Sequence, residues 1–305
     1  MAERTGDGVL VVDKEPGPTS HDVVAALRRI AGLRRIGHCG TLDPLATGVL
    51  VVCLGRFTRL SQWLSEGEKA YDAAFFLGAT SDTCDAQGNI VPGAGAEAPD
   101  SGRVRDALRG FEGSIEQVPP AFSAVKVNGV RSYDLARRRK AVPLKPRPVH
   151  IAELEMVAYD YPLLELRVWC SRGTYIRSLA ADLGRELGCG AYVQSLRRTR
   201  VGALGLDSAR SLPEIRDAAA AGRLAQCFVP LPQALAGLSE VVLDAPGLER
   251  FVHGNPVGMG EMADRGQELV CAVYDRDMEL RGIGRLDAEG SSLRPLQVLR
   301  GESSS

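Results

Sequence analysis

The stretch GHCGTLDPLATGVL at residues 37–50 sets a single carboxylate on a glycine-flanked loop that leads into an apolar strand. Glycine allows the backbone to approach a ligand closely and to adopt angles that other residues avoid. Pro44 restricts Asp43 to extended conformations, so the carboxylate sits on a stiffened segment. A stiff loop ahead of a buried strand is a suitable mount for a catalytic group. The spacing by itself fits an Asp-Pro turn without function even better, and His38 is equally compatible with a structural role.

Regular elements surround this loop on both sides. An apolar run at 8–14 predicts a buried strand, and Thr19 with Asp22 resembles a capping box for a helix that ends near Gly32. Further along the chain the pattern predicts helices or strands at 49–54, 57–64, 69–77, 104–111, 132–139, 149–159, 163–170, 174–187, 192–201 and 212–221. Helices and strands interleave irregularly, with hairpin-like strand pairs. We therefore predict an α+β fold with flanking helices and a mixed, mostly antiparallel sheet.

The character of the chain changes after the segment Pro230-Leu231-Pro232. From about residue 238 the pattern predicts a strand, a short helix at 245–253, and three further strands in apolar runs near 268–274, 279–285 and 295–299. We therefore predict two domains, at 1–235 and 238–300, of which the second is small and rich in β structure.

Basic residues concentrate in the middle of the chain. The formal net charge is −1 overall, but residues 120–200 hold 15 Lys and Arg against 7 Asp and Glu. Such a stretch favours a surface that binds polyanions. The alternative is a set of solvated helix and loop charges, because neighbours in sequence need not be neighbours in space.

Several classes of protein are disfavoured by features that the sequence lacks. No apolar run approaches the ~18–20 residues that cross a bilayer, and the N-terminal residues lack the apolar core of a signal peptide. Seven cysteines without CxxC or His-paired spacing argue against a disulfide framework and a zinc site. P-loop, GxGxxG, GxSxG and HExxH motifs are absent as well. We expect a cytoplasmic protein that uses no metal and no cofactor.

Arg177 occupies an unusual place for a cation. It falls in the first turn of the predicted helix at 174–187, for which Thr174 is the expected cap, and the helix dipole disfavours positive charge there. A carboxylate from another segment would offset that field, and Asp43 is a candidate. The alternative is an arginine that points into solvent.

Two strand segments carry further candidates for a binding site. Tyr71 in the Lys69-Ala70-Tyr71 segment is suited either to core packing or to stacking on a nucleic acid base. Strand alternation places Arg198 and Arg200 on one face with Leu196 beside them, which fits phosphate contact or plain solvation.

Seven segments together form a recognisable order: DKEPGPTSHD (13–22), GHCGTLDPLATGVL (37–50), KAY (69–71), LGATSDTCDAQG (77–88), PPAFSAVKVNGVRSYDLAR (119–137), CSRGTYIRSLAADLG (170–184) and SLRRTRVG (195–202). They resemble the bacterial tRNA pseudouridine-55 synthase family. The pair GHxGTLDPxAxGVL and GTYIRxLxxDLG is very specific for that family. The resemblance implies the pseudouridine synthase fold with a catalytic cleft. It also implies base flipping and isomerisation of uridine 55 in the T-loop of tRNA.

The resemblance assigns roles to individual residues. It implies that Asp43 is the nucleophile and that Arg177 pairs with it and keeps it ionised. Tyr71 is implied to stack on the target uracil, and Tyr175 and Leu196 to line the base pocket.

A second set of residues is expected to hold the RNA or the catalytic loop. The resemblance places His38 beside the flipped nucleotide, and Lys14 and Lys126 near the cleft. Arg198 and Arg200 are our candidates for phosphate contact. The sequence lacks the terminal extensions of guide-RNA-dependent relatives, which favours a stand-alone enzyme that needs no protein partner. The oligomeric state does not follow from the sequence, and a monomer is our default expectation.

The family often carries a C-terminal PUA-type RNA-binding domain, and we predict a PUA-like fold for 238–300. Residues 203–305 hold 10 Lys and Arg against 15 Asp and Glu, which makes a poor phosphate-binding surface.

Two other functional classes stay open. One is an RNA-binding or RNA-folding protein that needs the basic middle third but not Asp43. The other is a nucleosidase, which would need a second catalytic carboxylate about 5–10 Å away, with Asp82 and Asp85 as formal candidates.

Overall fold

The computed structural model describes residues 6–93, 97–123, 126–127, 130–131, 144–259 and 267–299, with backbone alone at 126–127 and 130–131. The helices are α1 (Ser20–Ala31), α2 (Ser61–Glu66), α3 (Ser101–Arg109), α4 (Ile176–Glu186), α5 (Leu212–Ala220), α6 (Leu231–Ala234) and α7 (Ala245–Val252), with 3-10 turns at Gly55–Leu60, Leu206–Ser208 and Leu224–Cys227. The strands are β1 (Gly8–Lys14), β2 (Ile36–His38), β3 (Thr47–Leu54), β4 (Lys69–Leu77), β5 (Ala79–Ser81), β6 (Ile90–Pro92), β7 (Gly113–Gln117), β8 (Lys126–Val127), β9 (Val130–Arg131), β10 (Arg147–Asp160), β11 (Leu163–Cys170), β12 (Ala191–Val201), β13 (Leu204–Gly205), β14 (Ser239–Val242), β15 (Val257–Gly258), β16 (Leu269–Tyr274), β17 (Leu280–Leu286) and β18 (Ser292–Val298).

A nine-stranded mixed sheet forms the centre of the described molecule. Its main path runs β1-β3-β12-β4-β11-β10-β7, with β2 added to β3 and β13 to β12. Every pair is antiparallel except β12 with β3, which run parallel through Arg197 opposite Thr47 and Arg198 opposite Gly48. The predicted α+β fold with a mixed, mostly antiparallel sheet is confirmed.

Several elements have the bounds that local sequence signals predicted. The predicted strands at 8–14, 69–77 and 163–170 have the observed bounds of β1, β4 and β11. Helix α1 begins after Thr19, whose side chain accepts a hydrogen bond from the Asp22 amide while the Asp22 carboxylate bonds back to the Thr19 amide. The predicted helix at 132–139 lies outside the described residues.

The start of α4 was predicted wrongly. Its N-cap residue is Tyr175, which makes no side-chain cap hydrogen bond, and the Thr174 hydroxyl donates to the Ser171 carbonyl instead. The helix therefore begins two residues later than expected, and Arg177 remains in its first turn.

Strands β1 and β3 are buried on both faces. On one face Leu10, Val12, Leu50 and Val52 join the core beneath α1 and α4. On the other face Val9, Val11, Val49 and Val51 join a second cluster that includes Ala272, Tyr274 and Ile283 from the C-terminal strands. Continuous apolar runs are what such doubly covered strands require.

The C-terminal strands form a second sheet of five strands in the order β14-β16-β17-β18-β15. It has its own small core around Phe251 and Val273, as the predicted β-rich C-terminal domain requires. Within the described ranges no helix is long and apolar enough to span a membrane.

Candidate active site

The loop between β2 and β3 carries Asp43 and is held by a contact from α1 and by a hydrogen bond of its own backbone. The Ser20 hydroxyl, at the start of α1, accepts a 2.8 Å hydrogen bond from the Leu42 amide. The Ala46 amide donates to the Asp43 carbonyl at 3.0 Å, which closes a tight turn. The carboxylate is thus carried by a fixed backbone, as the proline at position 44 predicted.

Lys14 holds the same loop from beneath. Its ammonium group donates to the carbonyls of Ala46 at 2.7 Å and Pro44 at 3.2 Å, and the side chain is buried. Burial lowers the pKa of Lys14 from 10.5 to about 8, while the Asp43 carboxylate acts in the opposite direction. The contacts fit the expectation that Lys14 supports the catalytic loop, and a group buried this deeply does not reach RNA phosphates.

Arg177 and Asp43 form a two-point ion pair across the cleft. Arg177 Nη2 donates to Asp43 Oδ1 at 2.9 Å, and Arg177 Nε lies 2.8 Å from Asp43 Oδ2. The Arg177 side chain is 5% exposed and that of Asp43 is 31% exposed, so the arginine is buried while one edge of the carboxylate faces the cleft. The anion predicted to offset the helix dipole at Arg177 is therefore Asp43.

A second carboxylate, which the sequence analysis named only for a competing function, belongs to this group. Asp85 Oδ2 lies 3.6 Å from Arg177 Nη1, and Asp85 is buried. Its other oxygen accepts hydrogen bonds from the Thr83 hydroxyl at 2.6 Å and the Gln87 amide at 3.0 Å. The segment at 77–88 already contained this residue, but only the fold could bring it to Arg177.

The electrostatics of Asp43 reflect opposing influences. Burial raises its pKa above the ordinary value of 3.8, the Arg177 cation lowers it, and the Asp85 charge raises it again. Burial disfavours the charged form of a carboxyl and a neighbouring cation favours it, so the two act on the pKa of Asp43 in opposite directions.

The first turn of α4 is held in place by the last residue of β7 and the segment that follows it. The Gln117 side chain accepts from the Tyr175 amide at 2.7 Å and donates to the Tyr175 carbonyl at 3.1 Å. The Ser178 hydroxyl donates to the Val118 carbonyl at 2.7 Å, and Arg177 Nη2 donates to the Phe122 carbonyl at 2.8 Å. These contacts fix the direction in which Arg177 leaves the helix.

The structure has a cleft of about 510 Å³ beside Asp43, within the usual size range of ligand sites. Six of the predicted site residues line it: Asp43, Tyr71, Tyr175, Arg177, Leu196 and Arg198. The basic residues Lys69, Arg147 and Arg172 line it as well, and the sequence analysis had not singled them out. No periodicity in the sequence distinguishes these three from ordinary surface charges.

His38 lies at the end of β2, directly before the catalytic loop, and is not among the residues that line the cleft. Burial, with a smaller effect from the Arg198 cation, lowers the pKa of His38 and favours its neutral form. Within the described part of the chain its Nδ1 atom is buried without a hydrogen-bond partner.

The prediction that Arg198 and Arg200 share one face was wrong. A bulge in β12 between them breaks the alternation, so that Arg198 is buried and Arg200 is exposed. Arg198 donates to backbone carbonyls, which contradicts the expected phosphate contact, whereas Arg200 remains free to make one.

Several basic residues of 120–200 are paired or buried in the described part of the chain. Arg167, Arg185 and Arg197 pair with carboxylates, and Arg177 and Arg198 are buried in the site. The side chain of Lys126, like the basic segment at 132–140, lies outside the described residues. Across the described ranges no cluster of three His, Cys, Asp or Glu side chains is arranged to hold a metal ion.

Comparison with known families gives two consecutive matches. Residues 28–176 match the model described as "TruB family pseudouridylate synthase (N terminal domain)", and residues 177–236 match "tRNA pseudouridylate synthase B C-terminal domain". The boundary falls between Ile176 and Arg177, inside the cleft, so both matched segments contribute to it. The five-stranded sheet lies beyond both matches.

Curated relatives match over nearly the whole chain. The protein named tRNA pseudouridine synthase B from Gloeobacter violaceus is 44% identical over 300 residues, which is 96% of this chain and 99% of the relative. The protein of the same name from Syntrophobacter fumaroxidans is 43% identical over 255 residues, 83% of each chain.

Solved structures with the same fold include a chain from a Cbf5-Nop10-Gar1 complex, with a TM-score of 0.75 and 27% identity over 96% of this chain and 85% of that one. A chain from an H/ACA RNP bound to a substrate RNA containing 2'-deoxyuridine has a TM-score of 0.74 and 25% identity, covering 97% and 86% of the two chains.

Proposed function

The chain belongs to the TruB family of pseudouridylate synthases, and from this we propose that it converts uridine 55 in the T-loop of tRNA into pseudouridine, with Asp43 as the nucleophile. One observation carries the assignment of Asp43: its carboxylate is the only one lining the cleft among the described residues, and Arg177 holds it at two points. The names of the curated relatives support tRNA as the substrate.

The reaction breaks the N1–C1′ bond and joins C5 to C1′. The C5 proton leaves and N1 gains a proton, so no electrons are gained or lost. A carboxylate acts as a nucleophile only when ionised. The Arg177 cation lowers the pKa of Asp43 against the effect of burial, so it keeps the reactive form populated and also orients the oxygens.

The target base must leave its stack to reach Asp43, which costs a few kcal/mol. A T-loop is bent and partly unstacked, and sequence-specific proteins commonly recognise RNA at such loops. Stacking on the Tyr71 ring, which lines the cleft, would offset about 1–3 kcal/mol of that cost. Tyr175 and Leu196 supply apolar walls, and Arg147 and Arg172 add positive charge to the same cleft.

The test measures tritium release from a tRNA transcript labelled with [5-³H]uridine, because forming the C5–C1′ bond expels the C5 hydrogen. We compare the wild-type protein with Asp43→Asn. The matched control is Asp72→Asn, whose carboxylate is exposed on β4 and pairs with Arg167 away from the cleft. We expect release with the wild type and Asp72→Asn, and none with Asp43→Asn at equal RNA binding.

Each result separates a different interpretation. Release by Asp43→Asn would remove the catalytic assignment and keep the enzyme class. No release by any variant, with binding retained, would favour a tRNA-folding protein. Free uracil instead of pseudouridine would favour a nucleosidase, in which Asp85 beside Arg177 supplies the second carboxylate. A transcript with cytidine at position 55 should release no tritium beyond background if position 55 is the target.

The proposal extends to the organisation of the enzyme. Residues 1–235 form the catalytic domain, and 238–300 a PUA-like domain whose acidic character limits its contact with RNA. The enzyme acts as a monomer in the cytoplasm without a protein partner. Sedimentation of the purified chain with and without tRNA tests the monomer, and deletion of 238–305 tests whether that domain contributes to tRNA affinity.

A further inference from the structure

Arg198 is a buried cation on β12, between β3 and β4, and lines the cleft. It lies in β12, opposite Gly48 of β3 on one side and opposite Tyr71 of β4 on the other. Its relative exposure is 1%, and it is the largest fully buried side chain among the described residues. Neither the ion pair at Asp43 nor the stacking surface accounts for an arginine in this position.

The guanidinium group of Arg198 joins both ends of the catalytic loop. Its Nε donates to the Val49 carbonyl at 2.8 Å, Nη1 to the Thr41 carbonyl at 3.3 Å and Nη2 to the Gly40 carbonyl at 3.2 Å. Asp43 lies between these attachment points. One planar group therefore ties the beginning of the loop to the strand that follows it.

Tyr71 is the cross-strand partner of Arg198 on β4, and the Arg198 cation opposes the rise in pKa that burial causes at the Tyr71 hydroxyl. Tyr71 carries the ring expected to stack on the uracil, and Asp43 carries the expected nucleophile. The position of Arg198 thus connects the group that would hold the base with the loop that would attack the nucleotide.

Neutral oxygens make all of these contacts. Among the described residues no carboxylate forms an ion pair with Arg198, so its charge is offset by the dipoles of three backbone carbonyls. Burying an unpaired charge is costly, and an apolar side chain of similar length would avoid that cost. The Arg198 charge also affects neighbouring groups: together with burial, it lowers the pKa of Lys69 and the pKa of His38.

We propose that Arg198 is a positioning residue for the isomerisation, which sets the position of the Asp43 loop relative to the Tyr71 ring. This inference rests on the proposed function. Its physical basis is the guanidinium fork, which presents several donors in one plane, whereas an ammonium group cannot span the same three carbonyls.

The test compares Arg198→Met and Arg198→Lys with the wild type in single-turnover tritium release at saturating enzyme, and measures the Kd for the same tRNA. We expect Arg198→Met to lose about 100-fold in rate constant, the size of effect that a 1 Å misplacement can produce, with a Kd within about threefold. Arg198→Lys keeps the charge but lacks the planar guanidinium group, so its rate constant should lie between those of the wild type and Arg198→Met. The matched control is Arg197→Met, because Arg197 is the adjacent residue and pairs with Asp13 at 2.8 Å outside the cleft.

Chemical rescue separates positioning from a purely structural role. Arg198→Ala leaves a space that opens on the cleft. Added methylguanidinium should raise the rate constant of this variant at least tenfold, and it should not raise the rate constant of Arg197→Ala. If Arg198→Met or Arg198→Ala does not fold, the rate constant of folded Arg198→Lys tests the proposal. A value below that of the wild type supports it, and an equal value contradicts it.

Four experimental results would contradict the proposed role of Arg198, each in a different way. A weaker Kd with an unchanged rate constant would mean that Arg198 acts on RNA binding, and an unchanged rate constant and Kd would mean that it does neither. Loss of rate without rescue, together with a lowered melting temperature, would reduce it to a structural residue. An inactive wild type would overturn the proposed function and this inference together, whereas an active wild type with unaffected Arg198 variants would overturn this inference alone.

Discussion

Replacing Arg177 with glutamine removes a cation that Asp43 and Asp85 share. Arg177 contacts Asp43 at 2.8 and 2.9 Å and Asp85 at 3.6 Å, and its own side chain is 5% exposed. Glutamine keeps a polar head group near the Phe122 carbonyl but carries no charge. The variant therefore leaves two anions beside each other, one of which is buried.

The expected loss of stability follows from the burial of these charges. Removing one partner of a buried ion pair costs about 3–5 kcal/mol, and because Asp43 is partly exposed we take the lower end, about 3 kcal/mol. For a chain of 305 residues, with an unfolding entropy of about 2.1 cal/mol/K per residue, that corresponds to a fall in melting temperature of roughly 5 °C at neutral pH.

The pH dependence has a defined sign. The Arg177 cation lowers the pKa of Asp43, so its removal raises that pKa further above the ordinary 3.8. Between 3.8 and the raised value the folded state binds more protons than the unfolded state, so stability falls as pH rises through this window. The difference in melting temperature between variant and wild type should therefore be smaller at pH 4 than at pH 7.

Activity should follow the same titration. With a higher pKa less Asp43 is ionised, so the acid limb of the pH–rate profile moves to higher pH, and the rate at neutral pH falls by about 100-fold or more once lost orientation is included. Raising the pH should recover the part due to ionisation. Melting curves at pH 4 and 7 and single-turnover tritium release across pH check both effects.

Arg185→Gln is the matched control, since Arg185 lies in the same helix but is 76% exposed and pairs with Asp182 at the surface. Exposed pairs of this kind contribute at most about 1 kcal/mol. If Arg177→Gln were no less stable than Arg185→Gln at pH 7, or if its deficit grew towards pH 4, the electrostatic account of the site would be refuted.

Three further predictions address the surroundings of the site. Because the Asp85 charge raises the pKa of Asp43, Asp85→Asn should move the acid limb of the pH–rate profile to lower pH, and a shift to higher pH would contradict this. Burial lowers the pKa of Lys14 from 10.5 to about 8, so between these values the unfolded chain binds a proton that the folded chain lacks and stability rises with pH. In urea unfolding, the free energy of unfolding of the wild type should rise by up to about 3 kcal/mol relative to that of Lys14→Met between pH 8 and 10.5. An equal pH dependence of the free energy of unfolding in the two proteins would contradict this prediction. Gly48 has a φ of +92°, and Gly48→Ala would place a Cβ 2.1 Å from a carbonyl oxygen of β12. The variant should therefore lose about 3 kcal/mol or more of its free energy of unfolding in the same assay. Gly37→Ala meets no atom within 4 Å and should change stability far less.

Local patterns determined the parts of the fold that depend on neighbours in sequence. The apolar run of β1, the capping box of α1 and the alternation in β4 each contain their own structural signal, and their bounds were predicted closely. Patterns failed where a tertiary contact overrides a local preference. Thr174 is a good capping residue, yet Gln117 from a distant strand holds the backbone at Tyr175 and the helix begins later.

The residues of the candidate site also fall into two groups, those that the sequence indicated and those that only the fold brought together. Asp43, Tyr71 and Arg177 stand in segments that the sequence singled out, and the helix dipole argument indicated that Arg177 needs an anion. The identity of that anion and the addition of Asp85 required the folded chain, because 134 residues separate Arg177 from Asp43 and 92 separate it from Asp85.

Sequence alone therefore determined which chemical groups this protein has and which short segments are stiff enough to carry them, because backbone restriction and helix capping act over a few residues. The tertiary structure alone decided which of these groups meet and which are buried. Arg198 is the clearest case: simple alternation assigned it to an RNA-facing surface with Arg200, but a single bulge in β12 turned the two arginines apart. One became solvent-exposed, and the other became the buried link between the catalytic loop and Tyr71, because strand register and burial are set by the pairing partners of the whole sheet.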